Sequence, residues 1–324
     1  MSITNKFNVP LSLSIWLAHS DYDRSSDPKT ISATSLLKPI KSIVLGMQAT
    51  EQGTTDVMDL VPSSLGTAIH TAIETAWKSP SLKATLQGLG HPQRVVEGVV
   101  VNPTPEQLVE GVIPVYMEIR SYKEVDGWTV SGKFDFISNG MLEDFKSTGT
   151  YNYMSQSNSQ KYIQQASIYR WLNPTLVTED TFAINYIFTD WSSVKAKQET
   201  DYPKSRLLQQ KFQLMSVPET EQFVKSKIAL INRYVNAPET LPDCTPEELW
   251  MKPSVFKYYK NPEKLDRSTK NFDSYWEANQ RMAEDGNVGK IVEVKSEAVF
   301  CRYCAASAVC PQAANLVKEG RLIL

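Results

Sequence analysis

Apolar residues recur at helical spacing in two separate segments of the chain. In SSLGTAIHTAIETAW, residues 63–77, Leu65, Ile69 and Ile73 follow one another every four positions. In SQKYIQQASIYRWLN, residues 159–173, one stripe at the same period consists of Tyr162, Gln165, Tyr169 and Leu172, with Ile163 and Ala166 beside it. A period near 3.6 residues is typical of a helix that buries one face. We therefore predict one helix in each segment.

Between these helices the pattern changes to that of short strands. The segments GVIPVYMEIRSY, GWTVSGKFDFI and MLEDFKS, within residues 111–147, are rich in Val, Ile, Tyr and Phe. Turn signals at Asp126-Gly127 and Asn139-Gly140 separate them. Because Asn-Gly between apolar runs is a strong hairpin signal, this region is predicted to form three antiparallel strands.

A further strand, FAINYIF at residues 182–188, follows the second helix. The order α-β-β-β-α-β predicts an α/β core with a mixed central sheet and helices on its faces. This core is expected to span residues 61–200, after an N-terminal helical and loop segment at 1–60. Residues 201–324 are expected to be mostly helical and to pack on the core as one unit.

Composition and charge restrict the class of protein without identifying it. At 324 residues, 41% of them hydrophobic, the chain can bury a core without disulfides. No apolar run approaches the roughly 20 residues that cross a bilayer, so we expect no membrane association and a cytoplasmic location. The net charge of -2 counts mildly against nucleic-acid binding, although phosphates respond to local basic patches.

Two carboxylates and one ammonium group fall close together in the strand region. Asp135 is near the end of one predicted strand, and Asp144 is on the next strand of the hairpin. Asp144 and Lys146 are two residues apart, so on a strand they share a face. Such a group can cradle a divalent cation and a phosphate, and oxygen ligands suit Mg²⁺ or Mn²⁺. Taken alone, Asp-x-Lys is common and is more often a structural ion pair on an exposed strand.

Four cysteines point to a second metal centre. Cys301, Cys304 and Cys310 crowd into ten residues, and Cys244 is the remaining one. Two disulfides are disfavoured in a reducing cytosol. Four thiolates are the usual ligands of an iron–sulfur cluster and also of a structural Zn²⁺ ion, so both remain open. Either metal would close a long loop and fix the C-terminal region.

Four short motifs occur in order along the chain: Gly66-x3-His70, Gly132-x2-Asp135, Asp144-x-Lys146 and Gln165-x3-Tyr169. This set resembles the PD-(D/E)XK nuclease superfamily, which has a restriction-endonuclease-like core. More narrowly, it is similar to the RecB/AddB-like iron–sulfur exonucleases, a branch that includes CRISPR-associated and phage-type members. The resemblance covers roughly residues 60–190 and extends through the cysteines to about residue 310.

The resemblance implies a metal-dependent deoxyribonuclease that hydrolyses phosphodiester bonds. Exonuclease action is favoured over endonuclease action, in DNA replication, recombination or repair. One or two Mg²⁺ or Mn²⁺ ions would be bound by Asp135, Asp144, the carbonyl of Phe145 and His70. Lys146 would orient the attacking water or stabilise charge on the phosphate.

By the same resemblance, Gln165 and Tyr169 lie near the scissile phosphate or support Lys146. They are neighbours at i and i+4 on a helix, where the alternative is an ordinary core helix with one polar edge. His70, without the motif, would be read as a packed or surface histidine. Glu118, on the preceding strand, is a further acidic candidate for the cleft.

The cysteine triplet is similar to the iron–sulfur region of AddB and of the CRISPR-associated nucleases. The resemblance therefore implies a [4Fe-4S] cluster on Cys244, Cys301, Cys304 and Cys310, with Zn²⁺ as the alternative. In those proteins the fourth cysteine precedes the nuclease motifs. Here the corresponding N-terminal segment has no cysteine, and Cys244 follows the core.

DNA, with a single-stranded portion or a free end, is the expected partner, and a helicase or recombination protein is a possible second one. The candidate phosphate contacts are Arg120, Lys123, Lys195, Lys197, Lys204, Arg206, Lys257, Lys260 and Lys264. Trp191, Tyr258 and Tyr259 are candidates for stacking on bases. Two rival hypotheses are a non-catalytic nucleic-acid-binding module on the same fold, and an unrelated enzyme with a structural zinc.

Overall fold

The computed structural model describes residues 3–19, 25–49 and 54–323. The described residues form two compact units. The sheet unit is drawn from residues 3–37 and 54–230, and the cysteine unit from residues 38–49 and 231–323. These limits differ from the expected boundaries at 60 and 200, because compactness depends on contacts and not on chain order.

The α-helices within the described residues are α1 (Leu11–Ala18), α2 (Ala33–Leu36), α3 (Ile40–Gln48), α4 (Val61–Trp77), α5 (Leu82–Gly88), α6 (Gln93–Gly98), α7 (Thr150–Ser155), α8 (Ser159–Leu172), α9 (Ser193–Gln198), α10 (Val217–Tyr234), α11 (Tyr275–Glu284) and α12 (Pro311–Lys318). Short 3₁₀ helices lie at Val57–Leu60, Pro105–Gln107, Pro238–Thr240, Phe300–Tyr303 and Ser307–Val309. No helix in the described ranges is both long enough and apolar enough to span a bilayer.

The strands in the same ranges are β1 (Ile3–Thr4), β2 (Thr30–Ser32), β3 (Thr55–Asp56), β4 (Val99–Val101), β5 (Ile113–Met117), β6 (Arg120–Val125), β7 (Trp128–Lys133), β8 (Phe136–Ser138), β9 (Met141–Thr148), β10 (Thr181–Phe188), β11 (Leu207–Gln213), β12 (Met251–Lys252), β13 (Val255–Tyr259), β14 (Lys270–Phe272), β15 (Lys290–Val294) and β16 (Glu297–Ala298).

The main sheet of the sheet unit has six strands in the order β11-β10-β9-β8-β5-β4. β9 and β10 are parallel, as are β5 and β4, whereas the other neighbouring pairs are antiparallel. The expected mixed central sheet is therefore confirmed. β9 carries the Asp144-x-Lys146 motif between two paired neighbours, which fixes its backbone on both sides.

Both predicted helices are present at nearly the predicted limits. α4 begins at Val61 and α8 at Ser159, and they contact β9 and β7 respectively. β10 covers the predicted strand, and its Phe182, Ile184 and Tyr186 are almost fully buried. Strong periodicity located these elements because α8 buries one face, β10 buries most of its length, and α4 has one half-buried face.

The prediction of three antiparallel strands across residues 111–147 is wrong in detail, because the chain forms five. Each of the first two expected strands is interrupted, one at Glu118 and the other at Phe134-Asp135. β5, β8 and β9 belong to the six-stranded sheet, while β6 and β7 form a second sheet with β2. Unbroken apolar runs hide such a break, because both halves keep strand composition.

The two predicted turns are confirmed. Asp126 and Gly127 both have positive φ, as do Asn139 and Gly140, which is the backbone that the tightest hairpins need. At Gly140 a Cβ would lie 2.1 Å from Oγ1 of Thr178, so glycine is required there for space as well as for conformation.

The cysteine unit contains more strand than expected. A three-stranded antiparallel sheet, β14-β13-β15, packs against α11, and β12 pairs with β16. Tyr258 is fully buried there and donates a hydrogen bond to the carbonyl of Val288 at 2.8 Å. The expectation of a mostly helical region after residue 201 is therefore wrong. Its short runs rich in Val, Ile, Tyr and Phe favour strands.

Candidate active site

The break between β7 and β8 positions Asp135. There the chain leaves one sheet and enters the other, so Asp135 lies outside both ladders with its carboxylate free to point elsewhere. Its Oδ2 accepts a hydrogen bond from the backbone N–H of Phe145 at 3.0 Å. This bond ties Asp135 to the middle of β9, between Asp144 and Lys146.

β9 presents Asp144 and Lys146 on one face, as their spacing predicts. Nζ of Lys146 lies 2.6 Å from Oδ2 of Asp144. Burial raises the pKa of Asp144 to about 6, against the lowering effect of the Lys146 charge and with a further increase from Asp135. Burial alone would lower the pKa of Lys146, but the charges of Asp144 and Asp135 hold it above its ordinary value.

His70, on α4, contacts both Asp135 and the backbone of β9. Its Nδ1 lies 3.5 Å from Oδ1 of Asp135, and its Nε2 donates a hydrogen bond to the carbonyl oxygen of Phe145 at 3.0 Å. Burial opposes protonation, but the hydrogen bond and charge of Asp135 raise the pKa of His70. Burial likewise raises the pKa of Asp135, but the hydrogen bond and charge of His70, the charge of Lys146 and the N–H of Phe145 together hold that pKa below its ordinary value.

On α8, Gln165 contacts Asp144 directly, and Tyr169 contacts Gln165. Nε2 of Gln165 donates to the Tyr169 hydroxyl at 2.9 Å and lies 3.5 Å from Oδ1 of Asp144. Tyr169 is itself buried behind Gln165. Gln165 therefore borders the carboxylates, whereas Tyr169 orients Gln165.

Both motif glycines lie at contacts between a helix and a strand, but only Gly132 is required for the close approach. A Cβ on Gly66 would lie 3.5 Å from Oγ of Ser147, so α4 lies directly against β9. A Cβ on Gly132 would lie 2.7 Å from a methyl carbon of Leu172 and 2.9 Å from the Tyr169 ring. Only glycine at position 132 leaves room for α8 in its present place.

Two residues near the site had no firm role in the sequence interpretation. The Tyr162 ring lies 5.7 Å from Nζ of Lys146, and burial raises the pKa of its hydroxyl. Its place on the same helical stripe as Gln165, three residues earlier, was the available signal. Glu118 was only a weak candidate. One oxygen of its carboxylate, one ring nitrogen of His70 and one carboxylate oxygen of Asp135 all lie within 4.8 Å of one another.

The donor set fits a hard divalent cation. It combines the carboxylates of Asp135 and Asp144 with the carbonyl of Phe145 and the imidazole of His70, which converge on the middle of β9. Oδ2 of Asp144 is buried and, apart from the ammonium group of Lys146, has no partner with hydrogen-bond geometry. A buried carboxylate favours a cation beside it, because burying its charge without compensation is costly, and Lys146 supplies one such cation here.

The four cysteines line one pocket of the cysteine unit, although Cys244 is far along the chain from the other three. Its other wall includes Lys41 and Ser42 of α3, and the thiol of Cys304 donates to Oγ of Ser42 at 3.2 Å. Gln312 fixes the segment around Cys244: its side chain accepts from the Cys244 N–H at 2.8 Å and donates to the Cys244 carbonyl at 2.9 Å.

The thiols themselves are free and mostly shielded. None of the four is in a disulfide. Burial raises the pKa of Cys244 to about 12 and that of Cys301 to about 11, so both are neutral without a bound cation. No three of the four sulfur atoms lie within 4.8 Å of one another.

Several predicted base-stacking or phosphate-binding residues have other roles. Tyr258 and Tyr259 are buried, so the prediction that they stack on bases is wrong; they belong to the core of the small sheet. Lys260 is paired with Asp285 at 3.1 Å. Trp191 is partly exposed, and the guanidinium of Arg206 lies 5.9 Å from its ring, which leaves the pair available at the surface.

No protein-family profile matches the chain, and no curated protein sequence matches it. Among solved structures, the protein titled SSO0001 aligns with a TM-score of 0.38 at 14% identity, over 70% of this chain and 89% of that one. A phage-related exonuclease from Haemophilus somnus 129PT aligns with a TM-score of 0.27 at 14% identity, over 62% of this chain and 94% of that one.

Proposed function

We propose that the protein is a metal-dependent nuclease that hydrolyses phosphodiester bonds of DNA. The observation that carries this proposal is the convergence of Asp135, Asp144, Lys146 and His70 around the backbone of Phe145 in the middle of β9. An accidental Asp-x-Lys pair would not gather a second buried carboxylate and an imidazole from separate elements. The rival of a structural ion pair on an exposed strand fits poorly, because Asp144 is only 4% exposed.

The residues divide between holding the metal and handling the phosphate. Asp135, Asp144, His70 and the carbonyl of Phe145 would hold Mg²⁺ or Mn²⁺. When bound, that ion supplies Lewis acidity and a water of lowered pKa. Lys146 remains an ammonium group at neutral pH, since its pKa is raised. It therefore acts by stabilising charge on the phosphate oxygens, not as a general base.

Exonuclease action is the finer form of the proposal, with DNA carrying a free end or a single-stranded portion as substrate. The test compares linear DNA, the same DNA with blocked ends, and closed circular DNA, each with Mn²⁺ or Mg²⁺. Cleavage that requires a free end supports an exonuclease, and cutting of the closed circle supports an endonuclease.

The catalytic assignment is tested by Asp144→Asn and Lys146→Met in the same assay. Each is expected to lower cleavage by about a hundredfold or more, because each removes a group that faces the reacting phosphate. Exposed residues of the sheet unit supply the matched controls, Asp59→Asn and Lys83→Met, which are expected to cleave normally. Full activity in both site variants would sink the assignment, and DNA binding without cleavage by the native protein would favour the non-catalytic module.

We further propose that the four cysteines bind a [4Fe-4S] cluster with a structural role. Four free thiols around one pocket form a suitable ligand set. In a tetrahedral zinc site, bonds of about 2.3 Å bring the sulfur atoms to within about 4 Å of one another. A single Zn²⁺ ion on the same four thiolates is the alternative.

Anaerobic purification tests the cysteine assignment. The expected product is a brown protein containing iron and acid-labile sulfide in about equal amounts, with Cys301→Ser lacking both. A colourless protein with one zinc ion per chain would contradict the cluster and support a structural zinc site.

A further inference from the structure

A cavity of about 530 Å³ opens in the sheet unit beside β11. One wall is the C-terminal end of α7, around Tyr153 and Gln156, and the other is the segment 200–205. Leu208 of β11 also lines it. The volume is within the range of pockets that hold small ligands, about 300–1,000 Å³. The cavity is therefore large enough for a ligand, and it is lined by residues other than those of the carboxylate site.

The register of the six-stranded sheet places this cavity beside the carboxylate site. Tyr186 of β10 pairs with Lys146 of β9 on one side and with Leu208 of β11 on the other. Directly paired residues point to the same face of a sheet, so these three side chains form one row. Neighbouring strands are about 4.8 Å apart, so the row covers about 10 Å. That distance is no longer than about three nucleotides of a DNA strand.

Aromatic rings connect the two places on this face. The Tyr162 ring lies 5.7 Å from Nζ of Lys146 and 6.4 Å from the Tyr186 ring. The Tyr153 ring packs edge to face against Tyr186 at 5.4 Å and against Phe188 at 5.7 Å. Tyr153 is thus held by two rings while it lines the cavity. A fixed aromatic ring in an open cavity suits a stacked base, whatever the sequence.

Hydrogen bonds to Asp190 hold both walls in place. At the start of α7 the N–H of Thr150 donates to Oδ1 of Asp190 at 2.7 Å. On the other wall the Tyr202 hydroxyl accepts from the N–H of Ser192 at 2.9 Å and donates to the carbonyl of Asp190 at 3.3 Å. Asp190 therefore joins α7 to the segment 200–205. A cavity that is formed in advance loses less conformational entropy when a ligand binds.

The polar groups of the cavity suit a base better than a run of phosphates. Lys204 and Asp201 are its charged lining residues, so the lining carries no net charge. The ammonium group of Lys204 donates to two backbone carbonyls at the C-terminal end of α9, at 3.0 and 2.7 Å, which keeps one positive charge at the rim. The amides of Gln156 and Gln210 exchange hydrogen bonds at 3.1 and 3.3 Å.

We propose that this cavity binds a base of a single DNA strand, stacked on Tyr153, with a neighbouring phosphate at Lys204 and the strand continuing to Lys146. An intact duplex does not offer such a base, because its bases are paired and stacked within the helix. The inference deepens the proposed function and rests on it for the position of the cleaved phosphate. It makes a single strand, or the unpaired end of a duplex, the preferred substrate.

The test is binding of a short fluorescent oligodeoxythymidylate to the full chain, measured by anisotropy in EDTA so that the DNA stays intact. Native protein is expected to bind this strand more tightly than a blunt duplex of the same length. Tyr153→Leu should weaken binding of the strand by about tenfold, the range of one lost stacking contact, and leave duplex binding unchanged. Tyr153→Phe keeps the ring and should bind as the native protein does.

A second variant, Lys204→Gln, leaves the ring packing of α7 intact, because Lys204 is exposed. It should weaken binding of the strand by about threefold to fivefold and reduce the salt dependence by about one ion. The matched controls are Tyr151→Leu, an exposed neighbour on α7, and Lys211→Gln, which lies on the opposite face of β11 from Leu208. Both controls should bind as the native protein does. Thermal melting checks that each variant folds, and Lys204→Gln alone decides if Tyr153→Leu does not fold.

Native affinity for the strand in the folded Tyr153→Leu and Lys204→Gln variants would overturn the subsite, and cleavage by native protein would leave the nuclease proposal intact. Equal losses in Tyr151→Leu and Tyr153→Leu would also overturn it. Tighter binding of an oligouridylate of the same length would overturn DNA as the bound strand. Binding that depends on Tyr153 and Lys204, without cleavage in Mn²⁺ by native protein, would support the subsite and contradict the nuclease.

Discussion

The carboxylate site and the cysteine pocket differ in how far apart their members lie along the chain. Asp135, Asp144 and Lys146 come from one hairpin region, and its turn brings them together. The cysteine pocket combines Cys244, the segment 301–310 and part of α3 near residue 42. When a site is built within one hairpin, the spacing of its residues can be recognised in the sequence. When a site combines distant segments, only the residues that are close along the chain, here the cysteines at 301–310, can be recognised.

The two sites also differ in how their charge is balanced without metal. At the carboxylate site, Lys146 and His70 supply positive charge, so the acidic groups are partly compensated within the protein. In the cysteine pocket the thiols pack with an apolar cluster that includes Leu249 and Leu316, and burial keeps Cys244 and Cys301 protonated. Metal removal should therefore affect function at the first site and folding at the second.

The largest expected effect separates the two metals by chelation. EDTA should lower cleavage by about a hundredfold or more, because the carboxylate site is partly open to solvent and its ion exchanges. It should leave visible absorbance and the melting temperature nearly unchanged, since the proposed cluster would lie inside the pocket that the cysteines line. Cleavage, absorbance and thermal melting of one sample give the measurement. If EDTA abolished the visible absorbance as fast as it abolished cleavage, the two proposed metal sites would not differ in their sensitivity to chelation.

The next effect concerns folding of the cysteine unit. Cys301→Ser should lower stability by about 4 kcal/mol, since loss of a structural metal is among the most destabilising changes. That corresponds to a melting temperature lower by about 10 °C. Native protein stripped of its metal is the control and should melt with the variant. Equal stability of the stripped and loaded native protein would show that the pocket folds without a cofactor.

A third prediction uses the buried charge of Asp144. Its native pKa of about 6 exceeds the ordinary 3.8, so the native state binds the proton more tightly. Protonated Asp144 therefore adds to the free energy of unfolding below about pH 4, and this contribution is lost as the pH rises through 6. The free energy of unfolding should change by about 3 kcal/mol between low and high pH for this reason.

In metal-free protein, Asp144→Asn should therefore be more stable than native at pH 8, by up to about 3 kcal/mol. The difference should vanish near pH 4. Urea unfolding in EDTA at several pH values measures it, and added Mn²⁺ should stabilise native protein but not the variant. A variant less stable than native at pH 8 would contradict the balance of charge described for this site.

The smallest effect tests the contact of α8 with the strands. Gly132→Ala should cost about 1–3 kcal/mol, because the new methyl group would overlap Leu172 and Tyr169. Cleavage should fall as well, since Tyr169 holds Gln165 beside Asp144. Gly88→Ala on α5, with open space around its Cβ, is the matched control and should be neutral or slightly stabilising. Equal melting temperatures for the two variants would show that α8 adapts freely.

Local pattern alone located the elements that carry the carboxylate site. The periodicity of α4, α8 and β10, and the two Gly-containing turns, depends on neighbouring residues and is readable in a single sequence. The spacing of Asp144 and Lys146 predicted a shared face because a strand has a fixed period of two. Placing His70 beside them required the motif resemblance, since a lone histidine on a helix carries no such information.

Only the tertiary structure decided where the strands break and what meets across the chain. The sequence does not mark the change of sheet at Glu118 and Asp135, because strand composition continues through both positions. It also does not show that α3 reaches the cysteine pocket, or that Tyr258 is core and not surface. Periodicity records which face is buried, whereas the partner of that face depends on contacts between distant segments. For the same reason, the shared face of Asp144 and Lys146 was predictable from their spacing, whereas the closeness of Glu118, a weak candidate for the cleft, to His70 and Asp135 became clear only in the fold.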